Sequence, residues 1–268
     1  MSTSVLPATG PGGIAQREFA LAAADHRPAA GGTVAAAALD LRSGLQVAWA
    51  PHRTGFTASL VKLDVLLALL LQRQDEGRSP TPTEQRLAYR MITTSDNDAT
   101  TALWHRIGAG PGLGAALARF GLTETDPGPG GEWGLTRTTP ADRIRLLTAL
   151  TGHDGPLADG HRFAALRLLH RVVPGQRWGV TAAATDRGLP VRNGWVKNGW
   201  LPLRADDHRW VVTSAGIVPV GGGPMLLAVL SSGWPSLAEG VRVVEGLSRL
   251  AAGALGRARA GDGRPPQG

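Results

Sequence analysis

Hydrophobic and polar positions divide the chain into three stretches of different period. Near the start, Thr33–Leu41 and Leu45–Ala50 are short apolar runs on either side of Arg42-Ser43-Gly44. That pattern predicts two strands joined by a tight turn. Arg17–Asp25 consists of good helix formers, and residues 1–16, rich in Gly, Pro and Ala, are expected to be loose. Leu63–Leu71 then runs almost wholly apolar without glycine or proline, which predicts a buried helix. Ser79-Pro80-Thr81-Pro82-Thr83 breaks it, with Thr81 or Thr83 as the N-cap of a helix over Glu84–Met91.

Helical periodicity continues through Ala99–Ile107, Gly112–Phe120, Pro140–Leu150 and Gly160–Arg171. Ser95-Asp96-Asn97 and a Gly/Pro-rich loop, Asp126–Gly131, fall between these helices. The last third returns to strands at Trp195–Leu203, Trp210–Val218 and Met225–Ser231, with turns at Asp206-Asp207 and Gly221–Gly223. A closing helix is expected over Ser236–Leu255, followed by a disordered tail at 257–268. Strands at both ends with helices between imply an α/β (α+β) fold. Residues 17–56 and 186–256 would form an antiparallel sheet with flanking helices, and 57–185 an all-α lobe, with a cleft between them.

Composition narrows the function. A net charge of +7 and a pI near 11.1 raise the question of nucleic acid. The arginines are scattered, however, and no aromatic-rich RNA-binding signature accompanies them, so no nucleic-acid partner is expected. Cysteine is absent, which excludes disulfides, thiol nucleophiles and thiolate metal sites. The seven histidines form no pair with metal-ligand spacing, so no metal is expected. Val65–Leu71 is too short to cross a bilayer, and residues 1–31 lack a basic start followed by an apolar core. The expectation is a monomer without membrane insertion, either cytoplasmic or a leaderless form of a secreted protein.

The most informative feature is which cation the chain uses. Of 28 basic residues only Lys62 and Lys197 are lysine. Arginine serves wherever a positive charge suffices, and it cannot release its proton at accessible pH. Lysine at two positions therefore points to proton transfer or to a compact ammonium. Ser59 precedes Lys62 by three residues at the start of the apolar helix, so the two share one helix face. An amine in apolar surroundings loses its proton more readily, and a neutral amine beside a hydroxyl is a base placed on a nucleophile.

In order, Ser59-x-x-Lys62, Ser95-Asp96-Asn97 and Lys197-Asn198-Gly199 resemble the three motifs of class A β-lactamases and penicillin-binding proteins. The resemblance covers roughly residues 30–255 and includes Trp133–Pro140, which is similar to the Thr-Thr-x-Pro region of that family. It implies an acylated nucleophile at Ser59, an activating base at Lys62 and a proton relay at Ser95. Asn97 would bind a substrate carbonyl, and Lys197 would supply positive charge. Asn198, Gly199 and Trp200 would line the substrate site, with the N–H groups of Ser59 and Trp200 as oxyanion hole. The substrate would be a small or peptide-like acyl donor, an amide or ester such as a β-lactam.

Three departures qualify the expectation. The third motif carries Asn198 where a hydroxyl is usual, and Trp200 is bulky where a small residue is usual. The deacylating glutamate has no match in pattern, leaving Glu124 and Glu132 as the nearby carboxylates. The resemblance implies a β-lactamase-like serine hydrolase that works through acyl-Ser59 without metal or organic cofactor, though efficient β-lactam hydrolysis is not expected; a penicillin-binding-type transacylase or a non-catalytic binding member are the alternatives. Arg192-Asn193-Gly194-Trp195 nearly repeats the third motif, which is assigned to Lys197 because it is lysine. The tryptophans other than Trp200 are expected in the core.

Overall fold

The computed structural model describes residues 10–26, 32–185, 194–203 and 207–261. Helix α1 (Pro11–Ala24) starts at Pro11 rather than Arg17, so part of the stretch expected to be loose is ordered. Its small buried residues Gly12, Gly13 and Ala15 and the buried Phe19 let it lie close against its neighbours. Its Gln16 carboxamide donates to the Ala48 carbonyl and accepts from the Ala48 N–H, both at 2.8 Å. That side chain completes the open edge of strand β2 (Gln46–Trp49), which follows β1 (Val34–Asp40).

After a two-residue strand, β3 (Gly55–Phe56), a single 3-10 turn at Ala58–Leu60 leads into α2 (Val61–Asp75). Val61 through Leu71 are all buried, because α2 runs through the middle of the helical layer. Around it lie α3 (Pro82–Thr93), α4 (Asn97–Arg106) and α5 (Ala109–Arg119). Thr81, not Thr83, caps α3 in a reciprocal capping box with Glu84. Strand β4 (Arg137–Thr138) pairs with β3, α6 (Pro140–Thr151) lies against the main sheet, and α7 (Asp159–His170) packs on α2 and α3.

The C-terminal third supplies β5 (Trp195–Leu203), β6 (Arg209–Val220), β7 (Gly223–Trp234) and α8 (Leu237–Gly261). The five long strands form one antiparallel sheet in the order β2-β1-β7-β6-β5. β1 joins β7 in register from Val34↔Ser231 to Asp40↔Met225, so the two ends of the chain build one sheet as expected. β7 is buried along nearly its whole length because helices cover both faces, which explains its unbroken apolar run.

α8 continues to Gly261 instead of stopping at Leu255, so residues 257–261 of the expected tail are helical. Leu255 and Ala258 are buried there, and Arg259 donates to Asp40 and to the Gly221 carbonyl. Residues 262–268, Asp206 of the expected turn, and Arg192 and Asn193 of the near-repeat lie outside the described residues.

Candidate active site

The position of Ser59 is fixed from three sides. Ala58, just before it, has φ +46°, a left-handed conformation that strains any residue with a Cβ. The Thr57 N–H donates to the Thr136 carbonyl at 2.8 Å, tying the turn to the segment ahead of β4. On the third side the backbone of Gly199 in β5 presses directly on the turn. A Cβ at position 199 would lie 2.3 Å from the Thr57 carbonyl oxygen and 2.7 Å from the Leu60 nitrogen, so only glycine fits. Thr213 of β6 locks this junction by donating to the Thr57 carbonyl at 3.0 Å.

One helical step on, Lys62 is fully buried. Its Nζ donates to the Ser95 carbonyl (2.6 Å), to Ser95 Oγ (3.0 Å) and to Asn97 Oδ1 (2.7 Å). These acceptors are presented by the start of α4. Ser95 is left-handed (φ +57°), Asp96 is the N-cap accepting from the Ala99 N–H, and Asn97 is the first helical residue. The capping reading of Ser-Asp-Asn and the functional one therefore describe the same residues. Asp96 also pairs with Arg90, and the Ala99 N–H and the Arg90 guanidinium hold its carboxyl below the usual range.

Lys197 reaches the same hydroxyl from the sheet. It is 1% exposed, and its Nζ donates to Ser95 Oγ at 3.1 Å and to the Asn198 carbonyl at 2.9 Å. Burial lowers the Lys62 amine to about 8, with the Asp96 charge pulling the other way. Burial, and then repulsion from Lys62, lower Lys197 well below the ordinary lysine value. Two ammonium groups flanking one hydroxyl in a dry site disfavour each other, so the pair releases a proton more readily than an ordinary lysine does.

Ser59, Asn97 and Trp200 line a cleft of about 360 Å³, together with Glu132, Trp133 and Leu135. Of the expected site residues, Ser59, Lys62, Ser95, Asn97, Lys197, Gly199 and Trp200 converge here. The Lys62 amine does not hydrogen-bond the Ser59 hydroxyl; among the described residues its three partners are those on Ser95 and Asn97.

Asn198 departs from its expected role. It is 1% exposed, and its amide donates to the Gln176 and Trp178 carbonyls while Oδ1 accepts from Ser214. Both amide hydrogens are spent holding the 174–183 segment against the sheet, which leaves no donor for a substrate.

Trp133 is a second correction: it lines the cleft instead of filling the core. Its ring centroid lies 5.0 Å from Lys62 Nζ, and its indole N–H donates to Thr101 at 3.2 Å. The sequence signal was its place at the head of the Trp133–Pro140 segment. Trp200 in turn packs against Trp178, centroids 5.8 Å apart. Glu132 stands exposed at the cleft rim. Glu124 is engaged elsewhere, accepting from His52 and Thr139; burial pushes its carboxyl up, but these hydrogen bonds outweigh it and lower it. Among the described residues, no three His, Asp or Glu side chains gather as a metal site.

The chain has a β-lactamase-like fold, that of the class A β-lactamases and PBP-A. It superposes on a variant of the last common ancestor of Gram-negative class A β-lactamases with a TM-score of 0.72 at 20% identity, over 89% of this chain and 98% of that one. PBP-A in an acyl-enzyme complex with penicillin G matches at TM-score 0.70 and 19% identity, over 90% and 96%. A class A β-lactamase from Bacteroides cellulosilyticus matches at 0.73 and 15%, over 92% and 98%. No family model matches the sequence.

Among curated proteins, "Putative lipoprotein LppW" of Mycobacterium tuberculosis and of Mycobacterium bovis is 26% identical over 210 residues, 74% of this chain and 67% of that protein. These relatives overturn the cytoplasmic expectation, since their description is that of a lipoprotein, an exported class. No helix of the described residues is long and apolar enough to cross a membrane.

Proposed function

We propose that this chain is a serine acyl-transfer enzyme of the penicillin-binding type, which forms a long-lived acyl-Ser59 from an amide or ester donor. The observation that carries this reading is the pair of buried lysines converging on Ser95 Oγ at 3.0 and 3.1 Å beside the cleft that holds Ser59. In the reaction, neutral Lys62 takes the Ser59 proton as Oγ attacks the carbonyl carbon. The N–H groups of Ser59 and Trp200 receive the oxyanion. Ser95 passes a proton to the departing amine or alcohol and is reprotonated from the lysine pair, leaving an ester on Ser59. An acceptor amine or water then attacks that ester, with Lys62 as base.

Slow hydrolysis follows from what covers Lys62. An indole stands over the amine, while Glu124 is tied to His52 and Thr139 and Glu132 sits at the solvent edge. Among the described residues, neither of these carboxylates is therefore in position to activate water. A non-catalytic binding role is the second reading, favoured by the absence of a hydrogen bond between Lys62 and the Ser59 hydroxyl.

Purified protein mixed with a fluorescent penicillin should acquire one covalent label that persists for many minutes and is absent from Ser59→Ala. A chromogenic cephalosporin should show little turnover. Fast turnover would make the protein a hydrolase, and no labelling by penicillin, thioester or fluorophosphonate probes would favour the binding role.

A further inference from the structure

A second concavity, of about 830 Å³, lies between α7 and the sheet and shares no lining residue with the Ser59 cleft. Its floor is apolar, made by Leu41, Leu150, Leu166, Trp195 and Ile217. The α7 side is of opposite character, with Arg162, Arg167, His170 and Arg171 at its margin, and among the described residues no carboxylate lines it. Phe163 stands beside them 53% exposed, stacked under the Arg162 guanidinium at 4.6 Å.

Two features of the arginines bear on what this groove could hold. Arg162 is only 4% exposed; its two terminal nitrogens bond to Leu150, His153 and Asp159, yet its Nε is buried without any hydrogen-bond partner. An unpaired buried donor on a cation is costly and has a use where an anion arrives. Arg162 is ion-paired with Asp159, whereas Arg167 and Arg171 have no ion-pair partner among the described residues, so their charge is available to a ligand.

We infer that this groove binds a single-chain anionic amphiphile, its hydrocarbon along the Leu41–Trp195–Ile217 floor and its carboxylate or phosphate head among the α7 arginines. The volume falls within the range of small-molecule sites, and the separation of apolar floor from cationic margin matches a ligand with one charged end. A flat bilayer surface cannot reach the floor of a concave groove, so a free amphiphile is the occupant.

The test titrates the full chain, below micelle formation, with dodecanoate, dodecyl phosphate, dodecanol and dodecyltrimethylammonium, followed by calorimetry and tryptophan fluorescence. Both anions should bind saturably at one site, about 10-fold or more tighter than the alcohol or the cation. Lengthening the chain should tighten binding roughly three- to four-fold per methylene until the floor is filled. Arg167 and Arg171 are exposed, so the double variant Arg167→Glu/Arg171→Glu should fold normally and lose about 10-fold in anion affinity. Trp195→Phe should remove the fluorescence change while the calorimetric signal remains. Equal affinity for all four head groups, indifference to the charge reversal, or binding seen only with phosphatidylglycerol vesicles would each overturn the assignment.

Discussion

A hydroxyl oxygen can accept two hydrogen bonds, and Ser95 Oγ receives them from the only two lysines in the chain. Arginine at position 62 would keep the charge but could not give up its proton. Lys62→Arg should therefore slow acylation of Ser59 by about 10³-fold, read as the labelling rate. In the wild type that rate should rise with pH through about 8, where Lys62 becomes neutral. Stability should follow the same group. Between about 8 and the ordinary value of 10.5 the unfolded chain holds a proton on Lys62 that the folded chain has released. Unfolding stability thus rises with pH across that window, by roughly 3 kcal/mol if Lys62 acted alone. Chemical denaturation from pH 7 to 10.5 should show the rise in wild type and a smaller one in Lys62→Met. Trp133→Glu, which puts a carboxylate where the indole stands, should shorten the acyl-enzyme lifetime in a gel-based chase. Both lysines were legible in the sequence because they resist an arginine bias. Trp133 was not, because a tryptophan before a helix looks the same whether it fills a core or roofs a cleft. Asn198 was misleading for a related reason: a motif position gives a residue's place on the strand, not what the neighbouring loop asks of its side chain.

At the scale of elements, the site depends on β5 lying against the turn that carries Ser59. Gly199→Ala is the sharpest probe of that junction, because its methyl would meet the Thr57 carbonyl and the Leu60 nitrogen, which are backbone and cannot rotate away. The strand or the turn must shift, and under the proposed function the N–H groups of Ser59 and Trp200 that would receive the oxyanion shift with it. Labelling should fall by at least about 100-fold, with a melting temperature lowered by several degrees, measured side by side. The strands, the long buried helix and the motif-bearing loop could be read from period alone. The β3–β4 pair could not: with two residues per strand it has no period, yet it fastens the segment before Thr138 beside Ser59. The ends of α1 and α8 were underestimated because glycine, alanine and arginine near a terminus look loose. Contacts remote in sequence, Gln16 to Ala48 and Arg259 to Asp40, hold them instead.

Across the whole molecule, the candidate site joins parts that are far apart in the chain. Ser95 and Lys197, separated by 102 residues, meet at one hydrogen bond, and the strand bearing Lys197 reaches β1 only through β6 and β7. Strands at both ends of the chain with helices between made this topology readable, since such strands pair into one sheet with the helical segment packed against it. It follows that the lysine pair cannot form in a partly folded helical lobe. Isolated α2 and α4 would leave the Lys62 amine exposed, free to hydrate and to keep its ordinary proton affinity. Reactivity at Ser59 should therefore disappear as a unit with the sheet. In a urea series, the fraction of protein labelled by a fluorescent penicillin and the far-ultraviolet circular dichroism should share one midpoint, with a single calorimetric transition on heating. Labelling that outlasts the loss of sheet signal would mean that Ser59 is activated from within the helical layer alone, and that Lys197 takes no part in lowering the proton affinity of its partner.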